Sequence, residues 1–261
     1  MRWSELTMTS NLTGIYTIWL RDLRRFWRDK PRIIAATVQP ALFLLILGTG
    51  LSRGITTTFQ TENHEGYLVF IFPGIIGMAI LFTSVFSAIS IVWDREIGFL
   101  KEVMVAPISR WAVAIGKSLG GGTVATLQGC LMLVFAPIIG VDMGIWTVIV
   151  LIPLMLFVAI SLTSMGIVAA AYMHSMQGFT VVMNFIMLPM FFLSGAMFPI
   201  EKLPVWLDIM VKVNPMTYGV DLLRRTTINT GHFSLFTDLL VMGIFGLVMT
   251  ALAVVMFTRQ E

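Results

Sequence analysis

Six long apolar stretches, almost empty of charge, constrain this chain more than any other feature: residues 33–51, 68–93, 119–141, 145–171, 179–198 and 239–257. A helix that crosses a bilayer needs about 20 mostly apolar residues, and its backbone must satisfy its own hydrogen bonds because hydrocarbon offers no partner. Each stretch reaches or nears that length. The fold class expected is all-α integral membrane, with six transmembrane helices. Only 12% of the residues are charged and the mean hydropathy is +0.89, against roughly 25% charged residues in a soluble domain. With 261 residues spread over six spans, little chain is left for a soluble domain. A single cysteine, Cys130, excludes an intrachain disulfide. The first apolar run starts near Ile33, behind a charged segment, unlike a cleavable signal peptide.

The basic residues set an expected orientation. If every span crosses once, Arg2, Arg21, Arg24, Arg25, Arg28, Lys30, Arg32, Arg95, Lys101, Arg110, Lys117 and Arg259 share one side, 12 against 5 on the other. The positive-inside rule places that side, and both termini, in the cytoplasm. The net charge of +3 then reflects membrane topology and calls for no nucleic acid.

Residues 1–30 are expected to be a cytoplasmic segment ahead of a membrane domain over 31–259. Leu12, Ile15, Tyr16, Trp19, Leu20, Leu23, Phe26 and Trp27 recur at three- and four-residue steps, beside Arg21, Arg24, Arg25 and Arg28. Such a helix suits the headgroup layer of membrane lipids, and Pro31 ends it. It serves as an anchor, or as an anchor that also touches a cytoplasmic partner. Between spans two and three, Ile97, Leu100 and Met104 share one face of a short helix stopped by Pro107, with Ser109 as N-cap of the next. An exposed apolar face there suggests docking on another protein, though it could rest on its own bundle. Between spans five and six, residues 205–213 and 218–223 are apolar but too short to cross; Gly195, Pro199, Pro204 and Pro215 mark breaks. They read as re-entrant or interfacial segments.

Several chemistries are missing. Gly116-Lys117-Ser118 lacks the earlier glycine of a phosphate-binding loop, since position 111 is Trp. Lys117 is expected to snorkel to the membrane face. His64, His174 and His232 are scattered and no metal site is expected. The Asn11-Leu12-Thr13 sequon lies on the cytoplasmic side and is discounted. No ionisable residue sits near the middle of a span, as ion-coupled transport would require. Energy for pumping must come from outside the chain. Met183, Met187 and Met190 on the fifth span, and Phe82 and Phe86 on the second, either pack the bundle or line a path for an apolar substrate.

Two segments carry a resemblance. One is Glu96-Ile97-Gly98-Phe99-Leu100-Lys101-Glu102, with Ala106-Pro107-Ile108-Ser109-Arg110 and Gly116-Lys117. The other joins Ser194-Gly195-Ala196-Met197-Phe198-Pro199-Ile200, Leu203-Pro204 and Trp206 to Asn214-Pro215-Met216-Thr217-Tyr218 and Asp221-Leu222-Leu223-Arg224. On a six-span frame they resemble the membrane permease subunits of the type-2 ABC exporter family, which export drugs, lipo-oligosaccharides or polysaccharides. Lys101 departs from the small or apolar residue frequent there. The resemblance implies two six-span permeases, identical or not, in a bacterial or archaeal plasma membrane. Each stands on a cytoplasmic ABC ATPase subunit. That partner binds ATP and Mg, so this chain carries no cofactor and is no enzyme.

The resemblance also implies roles for particular residues. Arg21, Arg24, Arg25 and Arg28 belong to a connecting helix. Glu96, Ile97, Gly98, Phe99, Leu100, Glu102 and Pro107 belong to a coupling helix. Gly195, Phe198, Pro199, Asn214 and Pro215 belong to re-entrant helices at an outer gate. An amphipathic, drug-like or lipid-linked substrate would leave between two permeases. Rival readings are a membrane scaffold and an intramembrane serine protease; for the latter, Ser194-Gly195 lacks a glycine two residues earlier and a histidine within the membrane.

Overall fold

The computed structural model describes residues 2–50, 66–96, 109–201 and 203–259, with side chains from Ser10 to Phe257 within those ranges. Every regular element among them is helical. Helix α1 (Arg2–Arg28) breaks at Asp29, whose carboxylate accepts from the Arg32 backbone N–H as the N-cap of α2 (Lys30–Leu42). Pro31 fits the first turn of α2, where an N–H would have no intrahelical partner anyway. Pro40 lies inside α2 and cannot donate to the carbonyl four residues back; a π turn, Phe43–Leu47, follows it and the helix runs on to Gly50.

Helix α3 (Tyr67–Ser87) continues, after an offset at Ala88, into α4 (Ile89–Glu96). Helix α5 (Arg110–Met132) ends in two 3₁₀ turns, Leu133–Phe135 and Pro137–Ile139. Helices α6 (Ile145–Tyr172), α7 (Met176–Phe192), the short α8 (Val205–Val213) and α9 (Pro215–Ile228), and α10 (Leu235–Arg259) complete the order.

Among the described residues, five helical stretches are long and apolar enough to cross a membrane: Lys30–Gly50, Tyr67–Glu96, Arg110–Ile139, Ile145–Tyr172 and Leu235–Phe257. The sixth, α7, has 17 residues. At 1.5 Å per residue it covers about 25 Å, a few ångström less than the ~30 Å hydrocarbon layer. The expected fifth span over 179–198 therefore ends early. Its last residues form a turn in which Gly195 takes φ +68°, a left-handed conformation that a helix cannot include.

The third span begins at Arg110, not near residue 119, so Lys117 lies inside the helix. Composition placed that boundary late because it discounts a lysine whose charge is met by partners on other helices.

Helix α3 is the centre of the bundle. The most apolar window of α3–α4 is 78% buried, against 22% for α2 and 11% for α10, which fixes the latter two as peripheral. Phe72, Ile75, Ile76 and Ile80 of α3 are fully enclosed with Leu151, Met155 and Leu162 of α6. Helix α1 runs along α5, close enough that a Cβ on Gly116 would meet Ile18 at 3.1 Å and one on Gly120 would meet an Asp22 carboxylate oxygen at 2.9 Å. Glycine at one-turn spacing lets two helices approach this closely. That is the use of Gly116, whose neighbour Lys117 imitates a phosphate loop. Leu12, Tyr16 and Trp27 on the far side of α1 stay exposed.

Candidate functional site

Two polar constellations stand at opposite ends of the bundle. The first joins α1, α4 and α5. Lys117 is only 6% exposed, and its Nζ lies 2.9 Å from Ser90 Oγ, 3.3 Å from Asp22 Oδ1 and 3.8 Å from Asp94 Oδ2. The snorkelling expected for Lys117 is thus corrected: α1 covers the path to water, and two carboxylates supply the counter-charge a buried ammonium requires. Arg21 closes the cluster by donating from Nη2 to Asp94 at 3.2 Å. Trp19 Nε1 donates to Thr123 Oγ1 at 3.0 Å, a second polar tie from α1 to α5. Ser109 precedes α5 but does not cap it with its side chain; its backbone N–H and its hydroxyl both donate to Asn11 Oδ1 at 2.8 Å.

The four arginines placed on the connecting helix therefore divide. Arg21 turns into the cluster, while Arg24, Arg25 and Arg28 are exposed and border a shallow depression with Asp29. Of the coupling residues, Glu96 alone lies among the described residues; Ile97, Gly98, Phe99, Leu100, Glu102 and Pro107 fall outside them. Glu96 Oε1 accepts from the Met176 backbone N–H at 3.1 Å, at the start of α7. Arg95 donates to the carbonyls of Ala170 and Met173, at the end of α6. Adjacent residues of α4 thus bracket the α6–α7 turn, the cation on helix C-terminal carbonyls and the carboxylate on a helix N-terminus, each favoured by the helix dipole.

The second constellation surrounds the turn after α7. Asn214 Nδ2 donates to the Met190 carbonyl at 2.7 Å, and its Oδ1 accepts from the Met216 N–H, capping α9. Pro215 occupies the first turn of that helix. Arg224, buried, donates from Nη2 to the Gly195 carbonyl at 2.7 Å and covers the Phe70 ring. Tyr67 donates to the Met197 carbonyl and Thr217 to those of Val211 and Leu193. Carbonyls that the end of α7 leaves without intrahelical partners are thus taken up by side chains from α9. Gly195 is required twice, by its φ and because a Cβ would sit 2.5 Å from Ile200 Cγ2. Phe198 is half-buried and Pro199 exposed on the same turn.

Asp221 accepts from the N–H groups of His232 and Phe233. Asp238 at the start of α10 lies against it, fully enclosed, with neither carboxylate oxygen hydrogen-bonded to a donor among the described residues. Neither Arg224 nor these aspartates were assigned a role from the sequence; a charged residue inside an otherwise apolar segment was the signal available.

Met183 and Met187 of α7 are buried in the core, whereas Phe82 and Phe86 of α3 line a cavity of about 250 Å³ beside α2. The methionine and phenylalanine positions do not share one lining. No group of three or more potential metal ligands occurs among the described residues.

This arrangement is matched by known sequences. Residues 13–228 match the ABC-2 type transporter family model, and the chain belongs to that family. It is 27% identical over 194 residues to ycf38 of Cyanophora paradoxa, described as a transport permease, covering 74% of this chain and 66% of that one. It is 26% identical over 170 residues to YbhR of Escherichia coli strain K12, described as a multidrug ABC transporter permease, covering 61% and 44%. It is 24% identical over 196 residues to nodulation protein J of Rhizobium leguminosarum bv. viciae, covering 74% of each. The chain thus spans less than two thirds of the length of two of these relatives. It is a multi-pass membrane chain of a transporter family.

Proposed function

We propose that this chain is the membrane subunit of an ATP-driven exporter, paired with a second six-span permease, each standing on its own ATPase. Both termini then face the cytoplasm of a bacterial or archaeal cell, and residues 97–106 form the coupling helix. The substrate class is an amphipathic molecule, drug-like or lipid-linked, taken from the cytoplasm or the inner leaflet. The name given to YbhR supports the drug-like reading. The lipo-oligosaccharide and polysaccharide exporters that the two loop segments resemble, together with Phe82 and Phe86 as stacking surfaces, support a polysaccharide or lipo-oligosaccharide as the second reading.

The carrying observation is the bracket made by Arg95 and Glu96 on the α6–α7 turn. The chain leaves α4 at this point for the coupling segment, directly after Asp94 of the Lys117 cluster. In the mechanism, ATP closes the two ATPases and displaces the coupling segments through Phe99, Leu100 and Glu102. Because α1, α4 and α5 are joined by buried ion pairs, they move as one body. The bracket passes that movement to α7 and, through Asn214 and Arg224, to the α8–α9 cap that gates the outer end. Nucleotide shifts the inward–outward equilibrium only by its differential affinity for the two states.

The test is affinity purification from native membranes followed by mass spectrometry. An ATPase that co-purifies, and is lost with Phe99→Ala plus Leu100→Ala, supports the proposal; a second six-span chain in the sample would mean a heterodimer. Recovery of this chain alone, across detergents and nucleotide states, would overturn it.

A further inference from the structure

Three cations on α1 are left over once its ties to the bundle are assigned. Arg21 is committed to Asp94, and Asp22 to Lys117. Arg24, Arg25 and Arg28 are exposed and border one shallow depression. Among the described residues no carboxylate lies within ion-pair distance of any of the three. Asp29 stands on the rim, where its carboxylate caps α2. Three positive charges against one negative leave the depression positive, so it selects an anion.

The level of these arginines in the bundle is fixed from two sides. Helix α1 climbs α5 in step, Ile18 beside Gly116 and Asp22 beside Gly120, and the apolar stretch of α5 begins at Leu119. Helix α2 begins the first span at Lys30. Residues 23–29 therefore stand at the edge of the apolar layer, where phospholipid phosphates lie. The surface pattern agrees. Leu12, Tyr16 and Trp27 share one exposed side of α1, and at about 3.6 residues per turn Arg24 and Arg28 flank that side. Trp27 is held edge-on against buried Phe26, ring centroids 5.7 Å apart, and exposed tryptophan suits the membrane interface. Directly beyond, Ile34, Val38 and Leu42 make an exposed apolar ridge on α2 at four-residue steps. An acidic protein surface would answer the arginines, but neither the apolar residues around them nor their depth.

We infer that Arg24, Arg28 and Trp27 form a docking site for an anionic diacyl phospholipid, its phosphate between the two arginines and its acyl chains against the apolar face of α2. The arginines are one helical turn apart, so their guanidiniums can close on one phosphate. Arg25 adds to the field. A guanidinium pairs with phosphate oxygens through two N–H groups and stays charged at the membrane surface. A zwitterionic lipid brings its own ammonium into a positive depression and is disfavoured there; each basic residue adds to the attraction for a net negative headgroup. The site goes beyond the exporter reading and does not depend on it, since binding can be measured without ATPase or transport. It holds α1 to the membrane at the point where the chain turns into the first span.

The probes are dioleoyl phosphatidylglycerol and dioleoyl phosphatidylcholine, which differ only in headgroup, added to the full chain in detergent and followed by native mass spectrometry. Wild-type chain should retain phosphatidylglycerol in preference to phosphatidylcholine by about tenfold. Arg24→Gln with Arg28→Gln should remove that preference; both side chains are exposed, and an unchanged elution volume identifies a folded variant. Arg24→Lys with Arg28→Lys keeps the charge without the planar fork and should retain part of it. Lys212→Gln removes one exposed charge from α8, at the opposite end of the bundle, and should change nothing. A glycerol phosphate without acyl chains should fail to displace the bound lipid at equal concentration. Equal retention of the two lipids by wild type, or the same preference in the double glutamine variant, would overturn the assignment. Displacement by the chain-free phosphate would overturn it in favour of a soluble anion site. An unaltered lipid preference in the glutamine variant, together with loss of a co-purifying protein, would assign the arginines to that protein instead.

Discussion

Arg224 and Gly195, 29 residues apart in sequence, are joined by a 2.7 Å hydrogen bond from the guanidinium to the glycine carbonyl, with the Phe70 ring 4.3 Å beneath the same guanidinium. One buried cation thereby fixes a left-handed turn, the end of α7 and the first turn of α3. Arg224→Gln should cost about 2–3 kcal/mol through the lost charge-assisted bond and the lost ring contact. Thermal unfolding of the detergent-solubilised chain would measure it. A lysine at 224 keeps the charge but not the planar fork and should recover only part; full recovery would show that charge alone matters.

The Lys117 cluster is also open to a direct test. Lys117→Met leaves Asp22 and Asp94 as buried carboxylates without the ammonium, which should destabilise the chain by about 3 kcal/mol. The double variant Lys117→Met with Asp22→Asn should cost less than the sum of the two single changes, since the second removes the charge the first leaves exposed to repulsion. Strict additivity in a double-mutant cycle would argue that Lys117 and Asp22 do not interact.

Close approach of α1 to α5 predicts a labelling result. In a Cys130→Ser background, Ile18→Cys should react slowly with a water-soluble maleimide, because residue 18 of α1 is buried against α5. Adding Gly116→Leu should push α1 away and speed labelling about tenfold, equivalent to ~1.4 kcal/mol of eased opening. An unchanged rate would mean that α1 is held by its polar ties alone.

Asp238→Asn should stabilise the chain, by about 1 kcal/mol, since it removes a like charge beside Asp221 and supplies an amide donor to it. The midpoint of thermal unfolding should rise. A fall would show that the paired carboxylates hold a proton between them that the amide fails to replace.

Coupling predicts a functional split. Glu102→Arg with Phe99→Ala should leave basal ATPase activity of the assembled complex while export falls about tenfold or more, and Glu96→Gln, which weakens the N-cap on Met176, should lower export less. Reconstituted vesicles with paired ATPase and transport readings would check this. Normal export by the double variant would remove residues 97–106 from the coupling role.

Much of this was legible from composition and periodicity. The membrane class, five of the six long apolar helices, the break between α1 and α2 near Pro31, and the short apolar segments at 205–213 and 218–223, which fall on α8 and α9, all follow from hydropathy and from prolines, which act locally. The family resemblance was carried by short segments at two loops, and residues 13–228 bear it out. Local patterning could not say that Lys117 is buried, that Ser109 bonds Asn11 instead of capping α5, or that α7 stops at Phe192. Each depends on a partner tens of residues away: Asp22 and Asp94 for the lysine, Asn11 for the serine, Arg224 and Asn214 for the turn beyond α7. By itself the sequence determined which segments must leave water, because the free energy of burying apolar surface sums along the chain. Only the tertiary structure decided where the few charges among them find counter-charges, because Coulomb attraction and hydrogen bonding act across distances that sequence order does not encode.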